Sequence, residues 1–372
     1  MPGLCIGLMS GTSLDAVDGA LVDFRGKSLR TLAFESVPIS ASLHAELLAL
    51  QVPGFDELDR AARAAIELTR LYAKVALRLL EVARTRPDTR GIPLSAVGAH
   101  GQTVRHRPDQ GYTLQLIDGA LLAELSDTPV VCDFRSADIA AGGQGAPLVP
   151  AFHAGAFSHP TRRRVIVNIG GIANVSLLAD GEPVRGFDTG PGNVLLDHWI
   201  QSRLGLPYDR NGDWASSGRV DERWLTSLLD DPYFGLPAPK STGRDLFNPQ
   251  WLTERLARAP SAPSRAEDVQ ATLAELTAHS IAQACEAFRA DEIFVCGGGA
   301  ANAHLMRRLA GLCSPAPVTS TDALGADPRA VEAVAFAWLA ECRMSSLPGS
   351  LPSVTGARGA RVLGALYPAP VG

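Results

Sequence analysis

The sequence predicts an α/β protein built from two related domains. Two stretches, Leu4 to Phe24 and Val165 to Leu178, follow one plan: an apolar strand, a turn of glycine and small polar residues, and a second apolar strand. A plan repeated about 160 residues apart indicates two similar halves that each begin with a hairpin. The length of 372 residues agrees, because compact domains commonly hold about 150 residues. We therefore expect a ligand held between the turns of the two hairpins.

The first half continues with a long amphipathic helix and short buried strands. From Asp56 to Thr85, polar residues recur at intervals of three and four opposite an apolar face. Ala96 to Ala99 predicts a buried strand that ends at His100-Gly101-Gln102-Thr103, and open α/β sheets contact ligands where such strands end. Further strands are predicted at Thr113 to Ile117 and Val130 to Cys132.

A glycine-rich segment, Ala140 to Pro147, lies before the second hairpin. Its composition fits either a linker or a loop that faces a ligand, and we place the domain boundary near it. Beyond the hairpin, proline and glycine in Asp231 to Arg244 predict a mobile loop with Lys240-Ser241-Thr242-Gly243-Arg244 at its centre.

The last part of the chain alternates helix and strand. Val269 to Phe288 predicts an amphipathic helix, Ile293 to Cys296 a short strand and Asn302 to Leu309 a second helix, with three glycines after the strand. Ala330 to Cys342 predicts an alanine-rich helix that carries Glu332 in its first turn. A carboxylate on such an apolar helix must be paired or face a cleft.

Composition excludes several classes of partner. The net charge of −5 and the pI near 5.9 argue against binding to nucleic acid or to an anionic membrane. No stretch approaches the roughly 20 apolar residues of a membrane span, and no targeting signal is recognised. The six cysteines show no CxxC pair, so the sequence favours a reducing, cytoplasmic location.

The stretch Gly186-Phe187-Asp188-Thr189-Gly190-Pro191-Gly192-Asn193 is the strongest candidate for an active-site turn. Its glycines and proline favour backbone conformations that display Asp188 on a rigid loop, where a carboxylate suits general-base chemistry. An equally simple interpretation is a helix cap, with Asp188 bonding to the start of a helix near Asn193. The stretch alone leaves both open.

Glycine turns at three places are typical of nucleotide contacts. Gly11-Thr12-Ser13 and Gly170-Gly171 lie at the two hairpin tips, where backbone N–H groups and small hydroxyls suit a polyphosphate. Gly297-Gly298-Gly299 follows a strand and precedes a helix, so a nucleotide could approach the backbone closely. The alternative is two unrelated β-hairpins in an α/β protein.

Other chemistries lack their signatures. The chain has no P-loop and no GxGxxG with the acid expected after it, which argues against a dinucleotide site. It has no GxSxG elbow for covalent catalysis, and its histidines lack the spacing of metal ligands.

These stretches together resemble the anhydro-N-acetylmuramic acid kinase family, from residue 4 to about residue 367. The resemblance implies a two-domain actin-like ATPase (ribonuclease H-like) fold, shared with sugar kinases and Hsp70-type ATPases, with the nucleotide in the interdomain cleft. It implies a first domain of residues 1–140, joined by about 330–372, and a second of residues 141–330. The motifs that carry it are Gly7 to Asp15, Gly101 to Thr103, Ala141 to Pro147, Asn168 to Gly171, Gly186 to Asn193, Lys240 to Arg244 and Val295 to Gly299.

The resemblance also implies a reaction. The family opens 1,6-anhydro-N-acetylmuramic acid with water and phosphorylates its O6, using ATP and Mg²⁺, in cell-wall recycling. Asp188 would be the base that deprotonates the water, and Gln102, Arg135 and Glu332 would contact the sugar. The residues that would bind ATP are Gly11, Thr12, Ser13, Asp15, Gly170, Gly171, Gly297, Gly298 and Gly299.

Two residues depart from the expected pattern. Asn168 stands where actin-like kinases commonly carry an Asp near Mg²⁺, and Ala16 replaces a glycine of the first motif, where a positive φ would strain the turn. No metal ligand is assigned. We expect a small amino sugar as the partner, no nucleic acid and no membrane, and a homodimer is compatible with the sequence. A chaperone-like binding module and a different sugar kinase are the alternative functions.

Overall fold

The computed structural model describes residues 3–11, 14–26, 28–238, 240–243, 246–259 and 265–370. Residue contacts divide the chain into two units. Unit 1 comprises Met1–Ala156 and Leu324–Gly372, and unit 2 comprises Phe157–Ala323. The sequence placed the domain limits at residues 140 and 330, and that division into two actin-like domains stays a prediction.

Unit 1 is a mixed sheet with helices on its faces. Its strands are β1 (Leu4–Ser10), β2 (Ala16–Asp23), β3 (Arg30–Pro38), β4 (Leu94–Ala99), β7 (Val130–Cys132) and β13 (Ala365–Tyr367), with a separate hairpin of β5 (Gln102–Arg107) and β6 (Tyr112–Leu116). The β1–β2 and β2–β3 pairs are antiparallel, whereas the β1–β4 and β4–β7 pairs are parallel. The order across the sheet is β13-β7-β4-β1-β2-β3. Its helices are α1 (Ala41–Ala49), α2 (Glu57–Thr85), α3 (Gly119–Ser126), α4 (Ser136–Ala140), α5 (Val149–Phe157, which contains the boundary), α12 (Val331–Met344) and α13 (Pro352–Thr355).

Helix α12 lies directly on the backbone of strands β1 and β4. A side chain at Gly7 would overlap the carbonyl group of Ala333, and one at Gly98 would overlap that of Phe336. Two glycines on adjacent strands therefore create the groove that seats α12 and fix the start of that helix. The other face of the sheet is covered by α2, whose buried residues include Leu68, Tyr72 and Leu79.

Unit 2 repeats the strand plan of unit 1. Its strands are β8 (Arg164–Ile169), β9 (Ile172–Leu178), β10 (Arg185–Pro191), β11 (Glu292–Cys296) and β12 (Val318–Ser320). The β8–β9 and β9–β10 pairs are antiparallel, whereas the β8–β11 and β11–β12 pairs are parallel. The order across the sheet is β10-β9-β8-β11-β12. Its helices are α6 (Val194–Leu204), α7 (Asp213–Ser217), α8 (Glu222–Leu229), α9 (Pro249–Ala257), α10 (Ala266–Phe288) and α11 (Ala303–Leu312).

The repeated order of three antiparallel strands followed by parallel ones confirms the prediction of two similar halves with an actin-like, ribonuclease H-like fold. In each unit the chain begins with a hairpin, adds a third strand beside it and then crosses to the other side of the first strand. The predicted long helices are observed as α2, α10 and α12. In the part of the chain that the structure describes, no helix is long and apolar enough to span a membrane.

Candidate active site

In unit 2, the candidate residues gather at one edge of the sheet. Strands β8, β10 and β11 all run towards this edge, and β9 begins there. Gly170 and Gly171 form the turn between β8 and β9, and Gly297 directly follows β11. The fold thus brings together Asp188, the second predicted phosphate turn and the three-glycine segment, although they are up to about 130 residues apart in sequence.

Asp188 lies within strand β10 rather than on a free turn, so the predicted conformation of this stretch was wrong. It pairs with Asn174 of β9, and the register shifts between Asp188 and Gly190 as in a β-bulge. Helix α6 begins at Val194 with Asn193 as its N-cap residue, and the Asp188 carboxylate bonds elsewhere. The helix-cap interpretation of Asp188 is therefore also wrong.

The loop after helix α8 holds Asp188 at three atoms. The N–H of Asp188 donates to the carbonyl of Lys240 at 3.0 Å, and the Tyr233 hydroxyl donates to the carbonyl of Asp188 at 2.6 Å. The N–H of Thr242 donates to Oδ2 of Asp188 at 3.0 Å. These contacts fix both the backbone and one carboxylate oxygen. The segment predicted to be a mobile loop is thus bonded to the candidate base.

The same loop is anchored to helix α9 by a buried carboxylate. Asp231 accepts from the N–H of Tyr233 at 3.0 Å and from the indole Nε1 of Trp251 at 2.9 Å, and Arg255 completes an ion pair with it. The ammonium group of Lys240 donates to the carbonyls of Tyr233 and Phe234, both at 3.0 Å. The support of Asp188 therefore extends through hydrogen bonds into the core of unit 2.

The chemistry of Asp188 reflects its surroundings. Its side chain is half-buried, and burial raises the pKa of the carboxyl group above its ordinary value of 3.8, while the Thr242 N–H bond lowers it. Among the described residues, Oδ1 has no hydrogen-bond partner. One oxygen is held in place and the other is available to take a proton, which is the arrangement a general base requires.

The glycines at the sheet edge differ in whether the fold itself requires glycine at that position. Gly297 has a φ of +80°, and a side chain at Gly299 would overlap Ile169, so the fold requires glycine at both. A Cβ at Gly171 would meet nothing nearer than Val194 at 3.9 Å, and one at Gly298 nothing nearer than Asn193 at 3.8 Å. Glycine at these two positions leaves open backbone of the kind that a phosphate or nucleotide can approach.

The same edge is tied together by Asn193 and Asn168. The Asn193 amide donates to the carbonyl of Ile169 at 3.2 Å, and its N–H donates to the carbonyl of Gly170 at 2.8 Å. Asn168 is the penultimate residue of β8 and pairs with Cys296, and its Oδ1 occupies the space a side chain at Gly297 would need. The departure at Asn168 thus places a neutral amide against the three-glycine segment.

In unit 1, the candidate residues lie at the corresponding edge of the sheet. Strand β1 ends at Ser10 before Gly11, β4 ends before Gln102, and β7 ends three residues before Arg135. The predicted contacts Thr12 and Ser13 lie outside the described residues. Asp15, which precedes β2, is exposed.

The departure at Ala16 causes no strain. Ala16 is the first residue of strand β2 and pairs with Pro38 of β3. Among the described residues of this turn, Leu14 has a positive φ, at 58°; its side chain is fully buried and its N–H donates to the carbonyl of Gly11 at 3.2 Å. Leu14 is therefore a buried leucine in a conformation that non-glycine residues rarely adopt.

Three carboxyl groups interact in unit 1. Burial raises the pKa of Asp18, and Asp15 raises it further, while the Ser36 hydroxyl bond at 2.6 Å lowers it. Glu332 is exposed, yet the protein around its carboxyl group displaces bulk water and raises its pKa. Asp18 raises the pKa of Glu332 further and Arg135 lowers it. Even so, no group of three or more metal-binding side chains is arranged around a metal position within the described ranges.

Arg135 is held by a histidine and a carbonyl group. Its Nε and Nη2 contact Nε2 of His100 at 3.1 and 2.7 Å, and its Nη1 donates to the carbonyl of Gly145 at 2.7 Å. Gln102 lies two residues after His100 and is 3% exposed, and its Oε1 has no partner among the described residues. A buried amide oxygen without a donor is costly unless a ligand supplies one.

The glycine-rich segment is a fixed loop rather than a flexible linker. Its Gly145 N–H donates at 2.8 Å to Oδ2 of the fully buried Asp138, whose Oδ1 accepts from the Thr355 hydroxyl at 2.8 Å. The N–H of Gln144 donates to the carbonyl of Thr355 at 2.8 Å. A side chain at Gly143 would overlap the carboxylate of Asp138, so glycine there permits this contact.

The supporting contacts of several residues that shape these sites were not predicted from the sequence. The residues concerned make hydrogen bonds to backbone groups or side chains that lie 7 to 45 residues away in sequence: Tyr233, Asp231, His100 and Asp138. Such contacts follow no periodicity. The weak signals that could have found them are a tyrosine and an aspartate inside a proline-rich loop, and a histidine directly after a buried strand.

Known proteins resemble the chain along nearly its whole length. The model of a family described as anhydro-N-acetylmuramic acid kinase matches residues 3–369. Two relatives named anhydro-N-acetylmuramic acid kinase are similar. That of Bordetella petrii is 54% identical over 373 residues, covering 99% of this chain and 97% of that protein. That of Pseudomonas paraeruginosa is 52% identical over 371 residues, covering 98% of each.

Among solved structures, an activator of the 2-hydroxyisocaproyl-CoA dehydratase from Clostridium difficile with bound ADPNP has a TM-score of 0.46 and 13% identity. The match covers 92% of this chain and 96% of that chain. The match to the family model and the identity to its named relatives extend from the first described strand to the last. The chain therefore belongs to the anhydro-N-acetylmuramic acid kinase family.

Proposed function

We propose that this protein is an ATP-dependent kinase that hydrolytically opens 1,6-anhydro-N-acetylmuramic acid and phosphorylates its O6, in peptidoglycan recycling. The product is N-acetylmuramic acid 6-phosphate. Membership of the family supports the kinase activity. The observation that carries the hydrolytic part is Asp188, a half-buried carboxylate with one oxygen held by the Thr242 N–H and the other free of partners among the described residues.

One carboxylate can support both parts of this reaction. When bound, ATP with Mg²⁺ supplies the phosphoryl group that O6 of the sugar accepts as its bond to C1 breaks. Asp188 accepts a proton from the water that attacks C1, so the new C1 hydroxyl keeps the oxygen of that water. Because burial raises its pKa, the carboxylate is a better proton acceptor than an exposed aspartate.

The residues present fit a nucleotide. In unit 2, the open backbone at Gly170, Gly171 and Gly298 would receive the phosphates and the adenosine edge, with Gly297 and Gly299 shaping the segment. In unit 1, the backbone at Gly11 and the predicted residues Thr12 and Ser13 would form the first phosphate turn. Asp15 and Asp18 offer carboxylates to Mg²⁺, which commonly completes its coordination with water and phosphate oxygens.

The sugar contacts are proposed in unit 1. Gln102 offers a buried amide oxygen that lacks a donor, Arg135 offers a cation, and Glu332 offers a carboxyl group. An amino sugar with hydroxyl, acetamide and carboxylate groups can use all three kinds of contact. The cytoplasmic location expected from the sequence and the homodimer compatible with it stay predictions.

The test combines product analysis with a conservative substitution. The protein is incubated with ATP, Mg²⁺ and 1,6-anhydro-N-acetylmuramic acid, and the sugar phosphate is measured by mass spectrometry. Asp188→Asn should keep the fold and ATP binding but lower kcat by roughly 10²- to 10⁴-fold, the usual contribution of a general base. Asp180→Asn, at an exposed aspartate after β9, is the matched control and should be unchanged. Near-normal turnover by Asp188→Asn would exclude it as the base.

A further inference from the structure

Arg135 has unused hydrogen-bonding capacity. A guanidinium group carries five N–H donors in a planar fork. Three of the five are engaged, two by Nε2 of His100 and one by the carbonyl of Gly145. The remaining two donors have no acceptor among the described residues.

His100 is a neutral partner. Its Nδ1 lies 2.7 Å from the carbonyl of Gly101, which can only accept, so Nδ1 carries the proton and Nε2 presents a lone pair to Arg135. Burial, and then the charge of Arg135, hold the pKa of His100 well below its usual value. The histidine therefore orients the guanidinium group without neutralising it.

The charge of Arg135 is not matched by a contacting acid. Within the described part of the chain, Arg135 forms no ion pair, and Glu332 acts on it only through its charge. Burial lowers the pKa of Arg135 to about 10, whereas Glu332 raises it. A lowered pKa means that its surroundings disfavour the cation, a cost that a bound anion would offset.

The guanidinium group of Arg135 is also held rigidly. The Gly145 carbonyl that accepts from Arg135 belongs to the loop fixed by Asp138, and Asp138 is in turn fixed by Thr355. Asp138 and Thr355 are 0% and 1% exposed. A pre-oriented cation with free donors is the arrangement that recognises a planar carboxylate through two parallel hydrogen bonds.

We propose that Arg135 receives the carboxylate of the sugar substrate, and that His100, Asp138 and Thr355 are positioning residues for its guanidinium group. This inference rests on the proposed function. N-acetylmuramic acid differs from N-acetylglucosamine by a lactyl ether that carries a carboxylate. Arg135 is therefore the residue that selects the carboxylated anhydro sugar over its uncharged analogue. A nucleotide phosphate is the other anion available to the enzyme, and the test separates the two.

The experiment measures kcat and KM for 1,6-anhydro-N-acetylmuramic acid and for 1,6-anhydro-N-acetylglucosamine. Wild type should prefer the carboxylated sugar. Arg135→Gln should raise the KM for the carboxylated sugar by about 10- to 100-fold, as expected for loss of a charged hydrogen-bonded pair, and should raise the KM for the uncharged sugar by a smaller factor. Arg63→Gln, at an arginine 80% exposed on α2, is the matched control and should change neither.

The positioning residues have their own readout. Thr355→Val removes the hydroxyl that fixes Asp138 while keeping the side-chain shape, so it should raise the same KM by a smaller factor, of about 2- to 10-fold. Thr355→Ser keeps the hydroxyl group, so it should keep the wild-type KM for the carboxylated sugar. A merely structural role would lower thermal stability without changing the preference between the two sugars.

The outcomes separate this inference from the proposed function. If wild type phosphorylates neither sugar, the proposed function is wrong. If wild type is active and Arg135→Gln keeps the preference, or instead weakens only the binding of a non-hydrolysable ATP analogue measured by calorimetry, the carboxylate assignment is overturned. Should Arg135→Gln fail to fold, Arg135→Lys and Thr355→Val test the carboxylate assignment instead. Both variants must reduce the preference for the carboxylated sugar over the uncharged sugar.

Discussion

The hydroxyl group of Tyr233 donates a hydrogen bond of 2.6 Å to the backbone carbonyl of Asp188. Burial, with a contribution from Asp188, raises the pKa of Tyr233 far above its usual value, so the hydroxyl stays protonated and keeps donating. The proposed base is therefore located by a side chain 45 residues away in sequence that does not touch its carboxylate.

Removing that bond should impair the positioning of the base. We expect Tyr233→Phe to lower kcat by about 2- to 10-fold, because one neutral hydrogen bond is lost, with little change in either KM. Steady-state kinetics with both substrates measure this. Tyr208→Phe, at a tyrosine 52% exposed in the same unit, is the matched control and should behave as wild type. An unchanged kcat in Tyr233→Phe would show that the bond does not position Asp188.

The raised pKa of Asp188 predicts the acid limb of the pH profile. The base must be ionised to act, so kcat/KM should fall as the pH drops through the pKa of Asp188, with a midpoint above the ordinary 3.8. The profile is measured over the range in which the protein stays folded, as judged by circular dichroism. A midpoint at or below 3.8 would contradict the environment described for this carboxylate.

The same shift predicts a gain in stability when the charge is removed. A carboxyl group whose pKa is higher in the folded than in the unfolded state destabilises the folded protein when it is ionised. This loss of stability is present at pH values above the folded-state pKa and absent at pH values below the unfolded-state pKa. Asp188→Asn should therefore raise Tm at pH 7, since the amide oxygen can still accept from Thr242, and the gain should vanish at low pH. Thermal unfolding across pH measures it, and a lower Tm at pH 7 would argue against the assigned cost.

The open backbone at Gly171 predicts a selective loss of nucleotide binding. A methyl group there meets nothing nearer than 3.9 Å, so Gly171→Ala should leave Tm nearly unchanged. It should raise the KM for ATP by about tenfold, or about 1.4 kcal/mol, if a phosphate approaches this backbone. Gly311→Ala, on the open surface of α11, is the matched control and should keep ATP binding. Equal KM values for ATP in the two variants would exclude Gly171 from the phosphate site.

The repeated fold could be predicted from the sequence because the repeat consists of local sequence patterns. Each half begins with an apolar strand, a glycine turn and a second apolar strand, and the helices α2, α10 and α12 have clear periodicity or composition. These signals lie within single elements, so they can be recognised without knowing which elements meet.

The conformation at Asp188 was missed because its residues resemble a turn. Gly190 and Pro191 lie in β10, an edge strand, where proline and glycine are tolerated and a bulge can form. A side chain at Gly190 would press on the ring of Phe234, which explains the glycine by a contact that the sequence does not reveal. The contacts of Tyr233 and Arg135 likewise join distant segments, and only the fold brings them together.

The most direct test of the account uses isotopically labelled water. The protein is incubated with ATP, Mg²⁺ and 1,6-anhydro-N-acetylmuramic acid in H₂¹⁸O, and the sugar phosphate is quenched rapidly and analysed by mass spectrometry with fragmentation. Attack of water at C1 predicts one ¹⁸O on the C1 hydroxyl and none in the phosphate ester. A phosphorylated sugar without label at C1 would contradict hydrolytic opening and indicate an ordinary sugar kinase.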